Sequence, residues 1–377
     1  MGTTADGGKV PLRDADNVNR QHMVLPTPPR GVAATVVIIV VGFRNPDDVL
    51  NCVRALAAAE GKPSFEIFIA ENGGSDATEL LIAHLLAAGP HCRHASLDDL
   101  PIWPQPARHR ARLRWEGAQG EFRMWINIAE MPQNLGYAGG VNGWLRPLLE
   151  VPGWQGAWVL NPDTEPTPTA LAELVAYAAQ RGKGMVGGRL LVTSESQVVH
   201  SRGLIWRKLV AKTGAVDYQA PVTVVPDPDE VDPRIDAPSG ASVYVTRDLI
   251  DAIGLMDERY FLYFEDLEWG YRAKPYGGVG YAHASIIPHK GHTTVRSKEG
   301  DGGPSNLTVY LEFRNRILFV RKEHPRWLLW TVLMQIIHVG ALTLRGSASL
   351  GVFALRGLAA GLRNETGRPD HIIASSK

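Results

Sequence analysis

Cysteine is nearly absent. Only Cys52 and Cys92 occur among 377 residues, which argues against a disulfide framework and fits two buried free thiols in a reducing compartment. An excess of either charge is also missing: Lys and Arg total 39, as do Asp and Glu. No global field therefore draws the chain to nucleic acid, and any attraction to a membrane has to be local. The first thirty or so residues mix charges, prolines and glycines without the apolar core of a signal peptide, so residues 1–34 read as a mobile leader. What remains is ordinary globular composition, 45% apolar and 21% charged, enough for one large domain or two closely fused ones.

The fold begins at Val36-Val37-Ile38-Ile39-Val40-Val41, a continuous β-branched run of the kind buried on both faces of a parallel sheet. It breaks at Gly42-Phe43-Arg44-Asn45-Pro46, and the spacing of Val49, Val53 and Leu56 predicts a helix over 47–60. A second strand, 65–70, ends at Glu71-Asn72-Gly73-Gly74-Ser75-Asp76 and opens another helix. The same alternation recurs at 158–160, followed by an Asn-Pro-Asp turn and a helix over 169–180. It predicts an α/β fold with a mostly parallel sheet, whose ligands gather outside the carboxyl ends of the strands. Glu71, Asn72 and Asp163 all occupy that edge.

Residues 92–128 interrupt the pattern, with Arg108, Arg110, Arg112 and Arg114 close to Trp103, Trp115 and Trp125. They read either as a patch for anionic lipid or diphosphate, or as a solvated insertion with one arginine-rich strand. Residues 207–235, rich in Pro and Asp, read as a surface excursion. From Trp327 to Leu344 there are 18 residues without a formal charge. A spanning helix needs about 20 apolar residues, and Gln335 and His338 interrupt this one. With Arg321, Lys322, Arg326, Arg345 and Arg356 around the apolar stretches and Trp327 and Trp330 at one end, an interfacial amphipathic anchor is expected before a span or a packed helix pair.

Two acidic motifs carry the chemistry. Asn161-Pro162-Asp163-Thr164-Glu165 follows the apolar run 158–160, and Glu265-Asp266 follows the aromatic run Tyr260-Phe261-Leu262-Tyr263-Phe264. A carboxylate at the first can bind Mg²⁺ or Mn²⁺, hard ions that suit oxygen ligands and a bridging diphosphate. Glu268 reads as a helix-surface acid. Between the motifs, Asn134-Leu135-Gly136-Tyr137-Ala138-Gly139-Gly140-Val141-Asn142-Gly143 reads as a glycine-rich loop feeding a helix, able to approach phosphate or sugar closely. It lacks the lysine and spacing of a P-loop and is not GxGxxG. Arg314-Asn315-Arg316 either contacts an anionic acceptor or ties its helix to the core.

These segments, in this order, resemble the family 2 glycosyltransferases of the GT-A fold, especially the bacterial rhamnosyltransferase-like branch, over about residues 36–325. The resemblance implies a GT-A domain over 35–325, with a nucleotide-sugar half at 35–165 and an acceptor half at 166–325, followed by a helical membrane-associating tail at 326–377. It implies a nucleoside-diphosphate sugar as donor, with Phe43, Glu71 and Asn72 at base and ribose, Asn134, Gly136 and Asn142 near the donor, and Asn161 beside them. Asp163 matches the metal-binding acid of the family's DxD motif, and His289 the histidine that completes the metal or diphosphate site, with His292 as the alternative. Asp266 matches the catalytic base, with Glu265 and Arg272 on the acceptor side. Glu71 stands where the family usually has Asp, and Asn161 takes the first acid position of DxD.

The expected activity is inverting, metal-dependent transfer of a sugar, rhamnose from dTDP-rhamnose as first choice, to a lipid-linked or cell-surface glycan at the cytoplasmic face of the cell membrane. A UDP-hexose or UDP-galactofuranose donor stays open, as does a non-catalytic nucleotide-sugar-binding partner. A nucleotidyltransferase is disfavoured, because 42–46 is not a lysine-containing pyrophosphate loop.

Overall fold

The computed structural model describes residues 36–61, 63–88, 91–96, 106, 108–291, 304–344 and 348–375. The expected leader, Trp103, His292 and Arg345 lie outside these residues.

The chain begins β1 (Val36–Gly42), α1 (Pro46–Ala57), β2 (Phe65–Glu71), α2 (Ser75–Leu86), β3 (Cys92–His94), β4 (His109–Glu116), β5 (Phe122–Glu130), α3 (Gly136–Leu149), β6 (Gly156–Leu160), α4 (Ala170–Arg181) and β7 (Met185–Leu191). It continues with β8 (Leu204–Arg207), β9 (Lys212–Ala215), α5 (Pro228–Val231), β10 (Ser242–Thr246), α6 (Arg247–Ile253), α7 (Glu265–Ala273), β11 (Val279–Pro288), α8 (Asn306–Glu323), α9 (Leu328–Leu344), α10 (Ala348–Leu362) and α11 (Asp370–Ser375). Nine strands form one sheet in the order β11-β7-β10-β6-β1-β2-β5-β4-β3. Following the pairings along it, only β10 and β4 run against the other seven. The mostly parallel α/β sheet expected from the alternation is therefore present. Strands from both expected halves share it, since β10 and β11 pair with β6 and β7.

β1 shows why the sheet forms here. Every one of its residues is buried, and successive side chains point to opposite faces. Val36, Ile38 and Val40 pack with Val49, Val53 and Leu56 of α1 and Leu81 of α2. Val37, Ile39 and Val41 pack on the other side with Val141, Trp144 and Leu145 of α3. A β-branched run with two buried faces stabilises only a strand covered on both sides. Helix α1 starts with Pro46 at its first turn beside Asp47 and Asp48, and carries Arg54 in its last turn, in keeping with the helix dipole.

Residues 92–128 extend the sheet instead of interrupting it. β5 pairs parallel with β2, and β4 returns antiparallel on β5. The arginines are consumed by carboxylates: Arg110 by Glu130 at 2.7 Å, Arg112 by Glu66 at 3.3 Å, Arg114 by Glu116 at 2.8 Å and Arg108 by Glu130 at 3.5 Å. Arg112 also lies over the Trp125 ring. The solvated, arginine-rich strand is the reading that fits, with no free anion patch on β4. Both cysteines are buried and free, as expected.

The tail is not detached. α10 lies against α8, where a Cβ on Gly357 would sit 2.2 Å from the Tyr310 carbonyl oxygen and one on Gly361 2.7 Å from that of Arg314. Two glycines four residues apart thus let the helix backbones touch. Arg321 and Lys322, expected among the cations around the apolar tail, are committed elsewhere: Arg321 to the carbonyls of Gly361 and Leu362, Lys322 to Glu268 and Asp257. Arg326 and Arg356 remain exposed.

Candidate functional site

At the carboxyl end of β6, Asn161 donates its backbone N–H to Ala241 at 3.0 Å, holding the Asn-Pro-Asp turn against the segment before β10. Asp163 is 6% exposed. Its Oδ1 lies 3.2 Å from His289 Nε2, and its Oδ2 accepts the Gly291 N–H at 3.0 Å. Asn161 Nδ2 is 3.3 Å from the same imidazole nitrogen. The turn and the end of β11 run side by side, bridged at Thr164 and His289. Burial pushes the Asp163 carboxyl up, but the bonds from His289 and Gly291 outweigh it and hold it below the usual carboxylate range.

Across the segment Ser239–Ala241 stands the second acidic pair, at the start of α7. Asp266 Oδ2 accepts the Gly240 N–H at 2.9 Å and Oδ1 the Leu267 N–H at 2.7 Å. Glu265 is buried, and its Oε2 has no hydrogen-bond partner among the described residues. Burial raises both carboxyls; the charge of Asp266 lifts Glu265 further, to about 8, while the two N–H donors oppose the rise at Asp266. Glu265 and Asp266 thus titrate as a linked pair, both held above the ordinary carboxylate range by burial. Each Asp266 oxygen keeps a lone pair for a further hydrogen.

Tyr137 joins the two acidic groups. Its hydroxyl donates to the Gly240 carbonyl at 2.5 Å. Burial first, then the charges of Glu265, Asp266 and Asp163, push its ionisation far up. One phenol thus feels the charges of all three carboxylates, which puts positions 163 and 266 within electrostatic reach of a single side chain. Neither Tyr137 nor Gly240 is singled out by the sequence reading. The only signals were a tyrosine inside a glycine-rich stretch and the turn-forming Pro238-Ser239-Gly240 just after the surface excursion.

The loop carrying Glu265 is strained. Phe261, Tyr263 and Phe264 have φ of 66°, 69° and 76°, a region that costs about 1–2 kcal/mol for each side-chain-bearing residue. Asn315 holds it, with Nδ2 donating to the carbonyls of Tyr260, Leu262 and Tyr263 at 2.8–2.9 Å. Arg314 reaches the Tyr260 and Gly367 carbonyls. These two residues tie helix to core, one of the two roles their sequence allowed.

Other expected site residues fall differently. Phe43 is exposed at the end of β1. Glu71 and Asn72 reach the expected sheet edge but turn inward: Glu71 Oε1 accepts N–H groups of Arg44 and Gly73, and Asn72 bonds Leu135 and Gly136. Asn134 accepts the Gly136 N–H. Gly136 has φ 73°, and a Cβ there would lie 2.0 Å from the Phe261 carbonyl oxygen, so it seats the strained loop. The glycine-rich loop is itself helix from Gly136 onward. Gly139, Gly140 and Gly143 make room for Leu135, Val41 and Met131.

Three expectations need correction. Asn142 is fully buried and bonded to Met256 and Glu258, which engage its side chain inside the fold. Arg272 is not on the acceptor side, since it binds the Ile253 and Leu255 carbonyls and Glu268. Glu268 is no surface acid; it is 0% exposed between Arg272 and Lys322. In each case a buried polar group found a nearby partner, as burial requires.

Among the described residues no three His, Cys, Asp or Glu side chains converge on one point. The donor set that exists is one carboxylate and one imidazole, Asp163 and His289, with the Asn161 amide beside them. Ions that bridge a diphosphate take few protein ligands and complete their shell with phosphate oxygens and water. Oxygen with imidazole nitrogen suits Mn²⁺, so the residues fit such an ion.

No protein-family model matches the chain. Over 245 residues it is 26% identical to the N-acetylglucosaminyl-diphospho-decaprenol L-rhamnosyltransferase of Mycobacterium tuberculosis, covering 60% of this chain and 77% of that one. Over 269 residues it is 22% identical to the low-salt glycan biosynthesis hexosyltransferase Agl10 of Haloferax volcanii, covering 68% and 83%. Among solved structures, GalNAc-T7 with UDP, GalNAc and Mn²⁺ matches with a TM-score of 0.51 at 12% identity, covering 92% of this chain and 58% of that one. That last likeness concerns the fold alone.

Proposed function

We propose that this chain is a glycosyltransferase of the family 2, GT-A, rhamnosyltransferase-like kind, and that it moves rhamnose from dTDP-rhamnose to a lipid-linked glycan acceptor, with inversion. The observation that carries the reading is the meeting of Asp163–His289 with Glu265–Asp266 around Tyr137 and Gly240. The rhamnosyl donor and the lipid-diphosphate acceptor are supported by the name of the mycobacterial relative. A UDP-hexose or UDP-galactofuranose donor is the second reading, supported by the hexosyltransferase relative.

In the proposed reaction Asp266 takes the proton of the acceptor hydroxyl as that oxygen attacks the anomeric carbon. The bond from that carbon to the diphosphate breaks, and the leaving group departs with the electron pair. Glu265, its carboxyl raised to about 8 by burial and by Asp266, lowers the negative charge that the incoming hydroxyl meets at neutral pH. Asp163 and His289 would hold Mn²⁺ or Mg²⁺, which when bound offsets charge growing on the diphosphate. The Gly291 N–H fixes the Asp163 carboxylate in place.

Thermal unfolding with dTDP, UDP and GDP, each with and without Mn²⁺, tests the donor and the metal together. A nucleotide held at about 100 times its Kd stabilises the native state by about 2.7 kcal/mol. Stabilisation by dTDP alone, requiring Mn²⁺ and lost in Asp163→Ala, is expected. Equal response to all three nucleotides, or no effect of Mn²⁺, would remove the donor or metal assignment respectively.

The tail supports a position on the cytoplasmic face of a membrane. Residues 325–344 form a helical stretch long and apolar enough to cross a bilayer, of which only 17% is buried. Exposed Leu329, Trp330, Leu333, Ile336 and Ile337 give it an apolar outer face, and Arg326 stands at its start. Such a face with flanking cations and tryptophan suits an interface. The full chain is expected to float with vesicles containing anionic phospholipid. Remaining with the soluble fraction at low salt would count against this placement.

A further inference from the structure

The tip of the β8–β9 hairpin is built the wrong way round for a turn in water. Strand pairing runs from Leu204 with Ala215 to Arg207 with Lys212, which leaves Lys208-Leu209-Val210-Ala211 as the connection. Turns usually carry Gly, Asn, Asp or Ser. Here Leu209 is 70% exposed, Val210 is exposed beside it, and Ala211 takes a φ of 48° that glycine adopts more readily. Single exposed apolar side chains are ordinary. This pair differs because it is fastened to a larger apolar surface. Trp330 of α9 donates its Nε1–H to the Leu209 carbonyl at 2.9 Å, and with Leu329 it begins the exposed face that continues through Leu333, Ile336 and Ile337.

A two-stranded hairpin has little stability of its own, so its place is set by what it packs on. Buried Trp206 and Ala211 belong to one apolar cluster with Leu318 and Phe319 of α8, and Trp327, Leu328 and Met334 pack against it. The tip and the start of α9 are therefore two parts of one surface over a shared core. Cations rim that surface. Arg207 and Lys208 are exposed beside the tip, and Arg326 at the start of the tail. Burial first, then the charges of Lys208 and Lys274, hold the His324 imidazole below its ordinary range, so Lys208 stands beside the junction of α8 and α9. Asp236, the acid that also acts on His324, is paired with Lys274. An apolar tip between exposed cations, continuous with an apolar helix face, complements a leaflet that is apolar inside and negatively charged at its surface. The same cluster contains Phe264, which immediately precedes Glu265 and whose ring lies 6.2 Å from that of Trp206.

We propose that the β8–β9 hairpin is a second membrane-inserting element, with Leu209 and Val210 entering an anionic leaflet beside Trp330 while Lys208 and Arg326 meet its headgroups. This rests on the proposed membrane placement of α9 and adds what orients the molecule on the bilayer. A helix lying in the interface is free to roll about its own axis, and a second contact beside its N-terminal end removes that freedom. Through Trp206 and Phe264 the docked hairpin is one ring contact from the loop that carries Glu265 and Asp266. The acceptor side is then held at a fixed height above the leaflet in which a lipid-linked acceptor is anchored.

The test uses the full chain and vesicles of phosphatidylcholine, with and without phosphatidylglycerol. Both native cysteines are buried, so a thiol introduced as Leu209→Cys takes an environment-sensitive fluorophore selectively. That label is expected to brighten and shift to the blue when anionic vesicles are added, while one at Leu80→Cys, exposed on α2, stays unchanged. Leu209→Ser combined with Val210→Ser is expected to weaken vesicle partition about 10-fold. Lys208→Ala should weaken it about 5-fold, only where phosphatidylglycerol is present. All three positions are exposed, so the variants should fold and keep wild-type thermal stability. A label at 209 that stays in water or responds no more than the one at 80, or wild-type partition of the double variant, overturns the hairpin as a membrane contact. Wild-type partition together with a fall in sedimentation mass would make the tip a contact between copies of this chain, and overturns it equally. If wild type itself fails to partition, the placement of α9 falls and the hairpin with it; binding by wild type with unaltered variants removes the hairpin alone.

Discussion

Asp266→Asn is expected to lower the rate of sugar transfer by about 10²–10⁴-fold, the usual contribution of a positioned base, while nucleotide stabilisation persists. The substitution is nearly isosteric. The side-chain oxygen can still accept one of the two N–H groups, from Gly240 or Leu267, that now hold the carboxylate, so the start of α7 should remain in place. What disappears is the carboxylate that would take the acceptor's proton at that point. Transfer at the wild-type rate with nucleotide binding intact would remove Asp266 from the role of base.

The neighbouring carboxyl gives a pH signature. The Glu265 pKa is raised in the folded protein, to about 8, chiefly by burial. Its contribution to stability is fully present below its ordinary value of 4.5 and is lost as pH rises toward 8. In Glu265→Gln nothing titrates at this position. The variant should gain on wild type progressively from about pH 5 to pH 8, on the order of a few kcal/mol at the upper end. Denaturant titrations of both proteins across that range check it; a difference independent of pH would mean that Glu265 is not held protonated.

The second large effect is expected on stability, at Asn315. Its Nδ2 supplies the three carbonyls of Tyr260, Leu262 and Tyr263, and its Oδ1 accepts Arg314 Nε at 2.9 Å. Asn315→Ala removes these bonds together from a fully buried position, leaving carbonyls and a guanidinium unsatisfied. Each orphan costs about 1–3 kcal/mol, and partial relaxation of the loop makes a total of about 3–5 kcal/mol the expected loss. The strain at Phe261, Tyr263 and Phe264 makes the loop spring away when released, carrying Glu265 and Asp266 with it. Activity should therefore fall beyond what the unfolded fraction explains, under conditions where the variant is folded and still binds nucleotide. A loss below about 1 kcal/mol, or full activity per folded molecule, would show that the loop keeps its shape without Asn315.

Much of this molecule was legible before any coordinates. Apolar runs of period two and amphipathic runs of period 3.6 report local geometry, and β1, α1, β2 and α4 fall within a few residues of their expected places. Turn residues at the ends of strands point to a sheet edge, which is where Asp163 lies, after β6. Sequence pattern was weaker wherever a side chain had a choice of partners. Asn142, Arg272 and Glu268 have the polar types of a site and became structural, because each lay within reach of a buried group that needed it. Tyr137 and Gly240 carry little local signature, and Asn315 left two roles open; what they do follows from contacts 26 to 103 residues distant in the chain, set only when α3, the segment before β10 and α8 close on one loop. The same holds for the tail. Its composition announced an apolar helix, but which side faces outward depended on α8 and α10, which took the polar stripe of α9 inward and left the leucines outside. Periodicity is a property of the chain, and pairing a property of its closure.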